Sequence, residues 1–246
     1  FGAYPVRNIN PQDIPKIILD EFNVSREDVM TEKKEKLFTI LFCKGWNPSK
    51  GLNDRGGFGT LLRAYCKAFV KSNNVKLIAK LNQAYISPGA DLQKAIINMG
   101  IDLGTCPRLE IITQNIPYEG LRDIYAQADV SCIPTKGEAF GLTFAESMAM
   151  GVPCVSSDFG GQCDFINNSN GWLLKTKLGP AVEDSLFYEG ASWGFLDEEE
   201  LTKLLIHLYN HRDEIKAKAE QAKKDIQKFT WENSAEKALL ALDKLN

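Results

Sequence analysis

Short apolar, β-branched runs recur along the chain at 37–43 (LFTILFC), 75–81 (VKLIAKL), 108–113 (RLEIIT), 129–134 (DVSCIP), 153–157 (PCVSS) and 171–175 (GWLLK). Each is nearly continuous in hydrophobicity, as strands covered on both faces are. Between them the period changes to that of a helix. In GFGTLLRAYCKAF the residues Phe58, Leu61, Leu62, Tyr65 and Phe69 fall on one face, and in LRDIYAQA so do Leu121, Ile124, Tyr125 and Ala128. Alternating β and α segments with right-handed crossovers predict an α/β fold: a doubly wound, Rossmann-like parallel sheet. From Asp197 onward the pattern is helical throughout, with one stripe at Leu201, Leu204, Leu205 and Leu208 and another at Ala235, Ala238, Leu239 and Leu242. KAKAEQAKKDIQK between them reads as a solvated charged face.

Two segments stand outside this grammar. Residues 1–36 are polar and charged, and read as a leader or interdomain linker with a short helix near Ile14–Phe22, ahead of a domain spanning 37–246. Residues 176–196 form a long aromatic loop, either a lid or a surface wrap. The opening FGAYPVRNIN carries no initiator Met and no signal-peptide pattern, so a fragment of something longer is expected.

Composition narrows the function classes. With 29 basic and 32 acidic residues the net charge is -3 and no basic stripe occurs, which argues against nucleic acid as a partner. No run approaches the roughly 18 apolar residues of a membrane span. The six cysteines (43, 66, 106, 132, 154, 163) contain no C-x-x-C, and Cys43, Cys132 and Cys154 lie in predicted strands. Reduced thiols in the cytoplasm are expected, with no metal site and no cofactor. His207 and His211 lie in a polar helical region, as surface residues.

The candidate chemistry sits in GEAFGLTFAESMAMGVP (137–153). In an open α/β sheet ligands gather beyond the carboxyl ends of the strands. TKGEAFG is then the ligand-side loop after the strand DVSCIP, and LTFAESMAM the next helix. The amides of Gly141, Leu142 and Thr143 open that helix and suit an anion such as phosphate. Glu138 projects from the loop, and Glu146, one turn into the helix, is fitted to accept hydrogen bonds from a vicinal diol. Carboxylate, anion site and carboxylate make a set for a sugar, a phosphate and a ribose.

The stretch GEAFGLTFAESMAMGVPCVSSDFGGQCDFINNSNGWLL resembles the E-x7-E region of retaining GT-B glycosyltransferases over nearly forty residues. That resemblance implies that Glu138 meets the hydroxyls of the transferred sugar and Glu146 the nucleotide ribose. Phe140, Gly141, Leu142 and Thr143 align with the segment whose amides meet sugar and diphosphate. Ala139 stands where the family more often has Gly. Upstream, Lys44 and Lys50 in FCKGWNPSKG match the family's basic pair, with Lys44 where Arg is commoner. Two fixed ammonium groups would stabilise a departing nucleoside diphosphate. NDRGGFG resembles an insertion, from which Arg55 is a weaker candidate for the phosphates. Backbone near Asn115 and Ile116 is implied to meet the base. Gly160 and Gly161 either border the donor sugar or form a tight turn, and FTWENSAEKAL resembles the family's terminal Trp-containing helix.

The resemblance spans about residues 37–245, all in the donor-binding half of such enzymes. It implies a hexose transferred from a UDP- or GDP-sugar to an acceptor sugar or glycoconjugate. The N-terminal acceptor domain would lie elsewhere, missing here or on a separate chain. No Asp-x-Asp occurs, which disfavours a metal-dependent mechanism of the GT-A type. The alternative is a non-catalytic nucleotide-sugar-binding subunit that needs a separate acceptor-binding chain. A pyridoxal-dependent GT-B phosphorylase and an NAD-dependent dehydrogenase are the further rivals; GGFGTL lacks the third glycine of a dinucleotide fingerprint.

Overall fold

Strand β1 (Phe38–Lys44) buries six of its seven residues, because both its faces are covered. Phe38, Ile40 and Phe42 point into the larger of two cores, while Leu41 and Cys43 point into the smaller one on the opposite face. β2 (Val75–Leu81) repeats the pattern with Val75, Leu77, Ala79 and Leu81 on one side and Ile78 on the other. This is the period-two pleat of a strand buried between two helical layers. Each large apolar side chain removed from water here contributes about 1.5–3 kcal/mol.

The computed structural model describes residues 37–182 and 188–244. The leader 1–36 and its expected short helix lie outside them. The described residues belong to one compact unit, Leu37–Asn246. In it β1, β2, β3 (Arg108–Ile112), β4 (Val130–Ile133), β5 (Cys154–Ser157) and β6 (Gly171–Leu174) form a parallel sheet in the order β3-β2-β1-β4-β5-β6. All six coincide with the six apolar runs to within a residue or two at each end. The expected doubly wound sheet is therefore present. The order reverses between β1 and β4, which pair through Ile40↔Val130 and Leu41↔Ser131. That seam is the topological switch point, where such sheets open a crevice.

Helices α1 (Phe58–Ala68), α4 (Leu142–Ala149), α5 (Glu198–Asn210) and α6 (Arg212–Ile226) supply the larger core, and α3 (Tyr118–Gln127) the smaller. The stripe Phe58, Leu61, Leu62 and Tyr65 is fully buried, as are Leu201, Leu205 and Leu208 of α5. The solvated stretch predicted near 216–228 is mostly α6, which tucks Ile215, Ala222 and Ile226 beneath its charged face.

The structure departs from the sequence reading in three places. Residues 176–196 contain a two-stranded antiparallel sheet, β7 (Thr176–Pro180) with β8 (Ser192–Leu196), in register Thr176↔Leu196 to Pro180↔Ser192. A strand that carries Gly179 and Pro180 has little intrinsic signal. Helix α2 (Leu92–Asn98) was not expected. It is short, starts where the Asp91 carboxylate accepts a hydrogen bond from Lys94 N at 3.0 Å, and buries only Ile96. Helix α7 (Trp231–Asp243) is capped by Thr230, whose hydroxyl accepts from Asn233 N at 3.1 Å. Its apolar stripe, however, is exposed: Leu239 is 63% and Leu242 58% accessible.

Candidate functional site

Loops from the two strands at the seam build the site. After β1 the chain turns through Gly45 and the buried Trp46 into a 3-10 helix at Pro48–Asn53. Asn47 caps it, its side-chain oxygen accepting from Ser49 N at 3.1 Å and Ser49 Oγ at 2.8 Å. Asp54 closes the loop. Its two carboxylate oxygens accept from Asn47 N at 3.0 Å and Gly57 N at 3.1 Å. Burial raises the Asp54 pKa, and those amides partly restrain the rise.

The loop after β4 is fastened to this one. Lys136, 5% accessible, donates to the carbonyls of Leu52 and Asp54 (2.8 Å for Asp54), and its own N–H donates to Arg55 O at 2.9 Å. Burial lowers the Lys136 pKa to about 8, with the Asp54 charge opposing. Arg55 returns the connection, its guanidinium donating to Gly137 O at 2.8 Å. Strand β8 is tied to the same loop through Gly194 N and Lys136 O, 2.9 Å apart, and Trp193 packs beside Gly137.

Glu138 forms an ion pair with Lys44 across the seam, the two side chains 15% and 12% accessible. Burial lowers the Lys44 pKa, and the Glu138 carboxylate is the largest influence holding it up. Behind this pair the backbone is crowded. Gly161 N donates to Glu138 O at 3.0 Å, and a Cβ on Gly161 would fall 1.8 Å from Ala139 O. Gly160 and Gly161 therefore form a tight turn that buttresses the glutamate loop, and neither lines the cavity.

Gly141, at φ 96, turns the chain into α4. From Phe144 onward the amides reach back into the helix, Phe144 N and Ala145 N both to Gly141 O, while those of Gly141, Leu142 and Thr143 begin it. They open on a cavity of about 690 Å³ above the seam. Lys44, Lys50, Arg55, Ile116, Glu138, Phe140, Gly141, Leu142 and Thr143 all line it, so residues up to 99 positions apart, Lys44 to Thr143, meet there. Glu146 is the exception. It does not line the cavity: its Oε2 accepts from Tyr125 Oη at 2.8 Å, and burial raises its pKa. Thr143, one helical turn before it, and Cys43, close enough to feel its charge, do line the cavity.

Other lining residues went unforeseen. Lys80, Asn82 and Tyr85 come from the end of β2, where the strand-end rule applied one strand further would have found them. Val182, Tyr188 and Trp193 come from the β7–β8 region, whose aromatic density was the only sequence signal. Tyr188 meets Trp193 edge-on, ring centroids 5.7 Å apart. The cavity is thus lined by Asn115 and Ile116 after β3 and by Tyr188 and Trp193 of the β7–β8 region, together with the Lys44–Glu138 pair. Among the described residues no three His, Cys, Asp or Glu side chains are grouped to hold a metal ion, and no helix is long and apolar enough to cross a membrane.

Comparison with known proteins gives this geometry a family context. Residues 110–184 match the family model Glycosyl transferases group 1. The match begins in β3, takes in both glutamates and ends beyond β7. The chain is 24% identical to an uncharacterized glycosyltransferase of Methanocaldococcus jannaschii, covering 93% of this chain and 54% of that protein. It is 26% identical to D-inositol 3-phosphate glycosyltransferase of Rhodococcus erythropolis, over 72% of this chain and 36% of the relative. Among solved structures, Anabaena HepE in complex with UDP and glucose superposes with TM-score 0.59 at 15% identity, over 93% of this chain and 53% of that one. WaaG, a glycosyltransferase involved in lipopolysaccharide biosynthesis, gives 0.56 at 18%, over 92% and 50%. The fold is the Rossmann-like α/β fold of GT-B glycosyltransferase structures. The chain spans about half the length, or less, of these relatives.

Proposed function

We propose that this chain is the donor-binding part of a retaining glycosyltransferase, which moves a hexose from a UDP- or GDP-sugar to an acceptor sugar or glycoconjugate. The observation that carries the reading is the Lys44–Glu138 ion pair in the cavity at the seam, beside the first amides of α4. The base would lie against Ile116 and Asn115, and the ribose toward Glu146. The diphosphate would meet the amides of Gly141, Leu142 and Thr143, with Lys50 and Arg55 opposite. The transferred sugar would then sit at Glu138, whose carboxylate accepts from its hydroxyls.

Such a placement gives each charged group a task. As the bond from the sugar to the diphosphate breaks, negative charge grows on the leaving phosphate. Lys44, Lys50 and the helix amides are fixed near it in a partly dry cavity, where one such contact is typically worth about 3 kcal/mol. No metal ion is needed in this scheme, because the chain's own cations face the leaving group. The Glu138 carboxylate opposes the lowering of the Lys44 pKa by burial, a second role besides touching the sugar. The acceptor would be held by an N-terminal domain or separate chain, in keeping with relatives about twice as long. A cytoplasmic location belongs to the same reading, supported by six free thiols.

Calorimetric titration with UDP, GDP, ADP and NAD tests it. Binding of UDP or GDP, tightened by the attached hexose, is the expected result. Binding of NAD alone, or of none of the four, overturns it.

A further inference from the structure

The smaller groove of the molecule has chemistry that the sugar-binding reading does not use. Cys66 in α1 and Cys106, two residues before β3, are 40 residues apart in the chain, yet their sulfur atoms are 3.1 Å apart. The Cys66 thiol donates to the Cys106 sulfur. A groove of about 460 Å³ opens at Cys106, bounded by Lys71, Gln93, Leu92 and Pro107. It is lined by neither Lys44 nor Glu138 and lies apart from the cavity at the seam.

We propose that Cys66 and Cys106 are a reversible oxidation site, at which a low-molecular-weight disulfide entering this groove converts two touching thiols into a disulfide between α1 and the turn into β3. The two sulfurs have different surroundings. The Cys66 hydrogen bond, aided by the Lys71 charge, favours the thiolate of Cys106 against the effects of burial and Asp102. Cys66 retains its proton, because it donates to Cys106 and is itself partly buried. Cys106 lines the groove by which the small disulfide enters and Cys66 does not, so Cys106 is the nucleophile and Cys66 the resolving thiol.

The steps balance. The Cys106 thiolate attacks one sulfur of the small disulfide, forming a mixed disulfide and releasing one small thiolate. Cys66 passes its proton to solvent and attacks the Cys106 sulfur, releasing the second small thiolate. Two electrons pass from the cysteine pair to the small disulfide, which leaves as two thiols. Excess small thiol runs both steps backwards.

The other cysteines provide an internal comparison. Cys163 is also half-buried, but burial and the carboxylates Asp158 and Asp164 all raise its pKa. Cys132 and Cys154 are fully buried within strands, and burial raises their pKa too. Oxidation should therefore select the 66–106 pair.

The test incubates the full chain with mixtures of reduced and oxidised glutathione, followed by acid quenching, alkylation and tryptic mapping. The expected product in the unmodified chain is peptide 64–67 joined to peptide 95–108, lost again on reduction. In Cys66→Ser, glutathione should accumulate on Cys106, for want of the resolving thiol. In Cys106→Ser, Cys66 should stay free under the same conditions. Recovery of both thiols free in the unmodified chain overturns the proposal. So does glutathione on Cys163 or Cys66 ahead of Cys106.

Discussion

Lys44 and Glu138 are separated by 94 positions in sequence, and each is the other's counter-ion across the β1–β4 seam. The arrangement joins the basic loop to the glutamate loop before any ligand arrives. Glu138→Gln should therefore strand the Lys44 charge and destabilise the fold by roughly 1–3 kcal/mol, in the lower range for a broken buried pair because the site opens on a cavity. Urea unfolding measures it. The same variant should weaken binding of a nucleotide sugar more than of the bare nucleoside diphosphate, and equal losses would remove Glu138 from the sugar.

Glu146 does not line the cavity and is held by Tyr125. Glu146→Ala should reduce nucleoside diphosphate affinity by about 1–3 kcal/mol, the range for losing a charged hydrogen-bond acceptor. Tyr125→Phe keeps the carboxylate but frees its orientation, and should have a smaller effect in the same direction. Calorimetry on both variants checks the order, and unchanged affinity in Glu146→Ala would separate this residue from the ribose.

Lys136 gives a pH signature. Its folded-state pKa, near 8, lies below the ordinary lysine value of 10.5. Below pH 8 both folded and unfolded chains hold the proton, and the buried charge is at its most unfavourable. Between pH 8 and 10.5 the unfolded chain binds more protons, so stability contributed at this position rises with pH. The stability difference between the unmodified chain and Lys136→Met should shift in favour of the lysine across that window, by about 1–3 kcal/mol. A difference that stays flat with pH would contradict the burial argument.

The β7–β8 side of the cavity invites a separate comparison. Tyr188 lines it and packs edge-on against Trp193. Tyr188→Ala should leave nucleoside diphosphate binding within about 0.5 kcal/mol, the usual range for a surface change. It should lower nucleotide-sugar affinity several-fold. Titrating both ligands against the variant decides it.

How much of this was legible follows from where each signal resides. The central strands announced themselves because burial on both faces demands nearly unbroken apolar runs, as in residues 38–43, whereas β3 exposes Arg108 and Glu110 and was legible from Leu109, Ile111 and Ile112 alone. The glutamate loop was legible because its glycines and carboxylates lie within a dozen residues. The ion pair of Lys44 with Glu138 was not, since pairing across a seam depends on strand order and leaves no mark on spacing. Asp54 and Lys136 were overlooked for a related reason: a polar loop and a lysine beside a glycine resemble solvent-facing residues until tertiary packing buries them. The hairpin was hidden because β7 carries Gly and Pro and its sheet is only two strands wide.

The fastening of the two seam loops by Asp54, Lys136 and Arg55 has a calorimetric consequence. A socket that is already assembled demands little ordering of its walls when it is filled. The heat-capacity change on nucleotide binding should then track the surface that the nucleotide itself covers, without the larger negative increment that accompanies a loop folding around its guest.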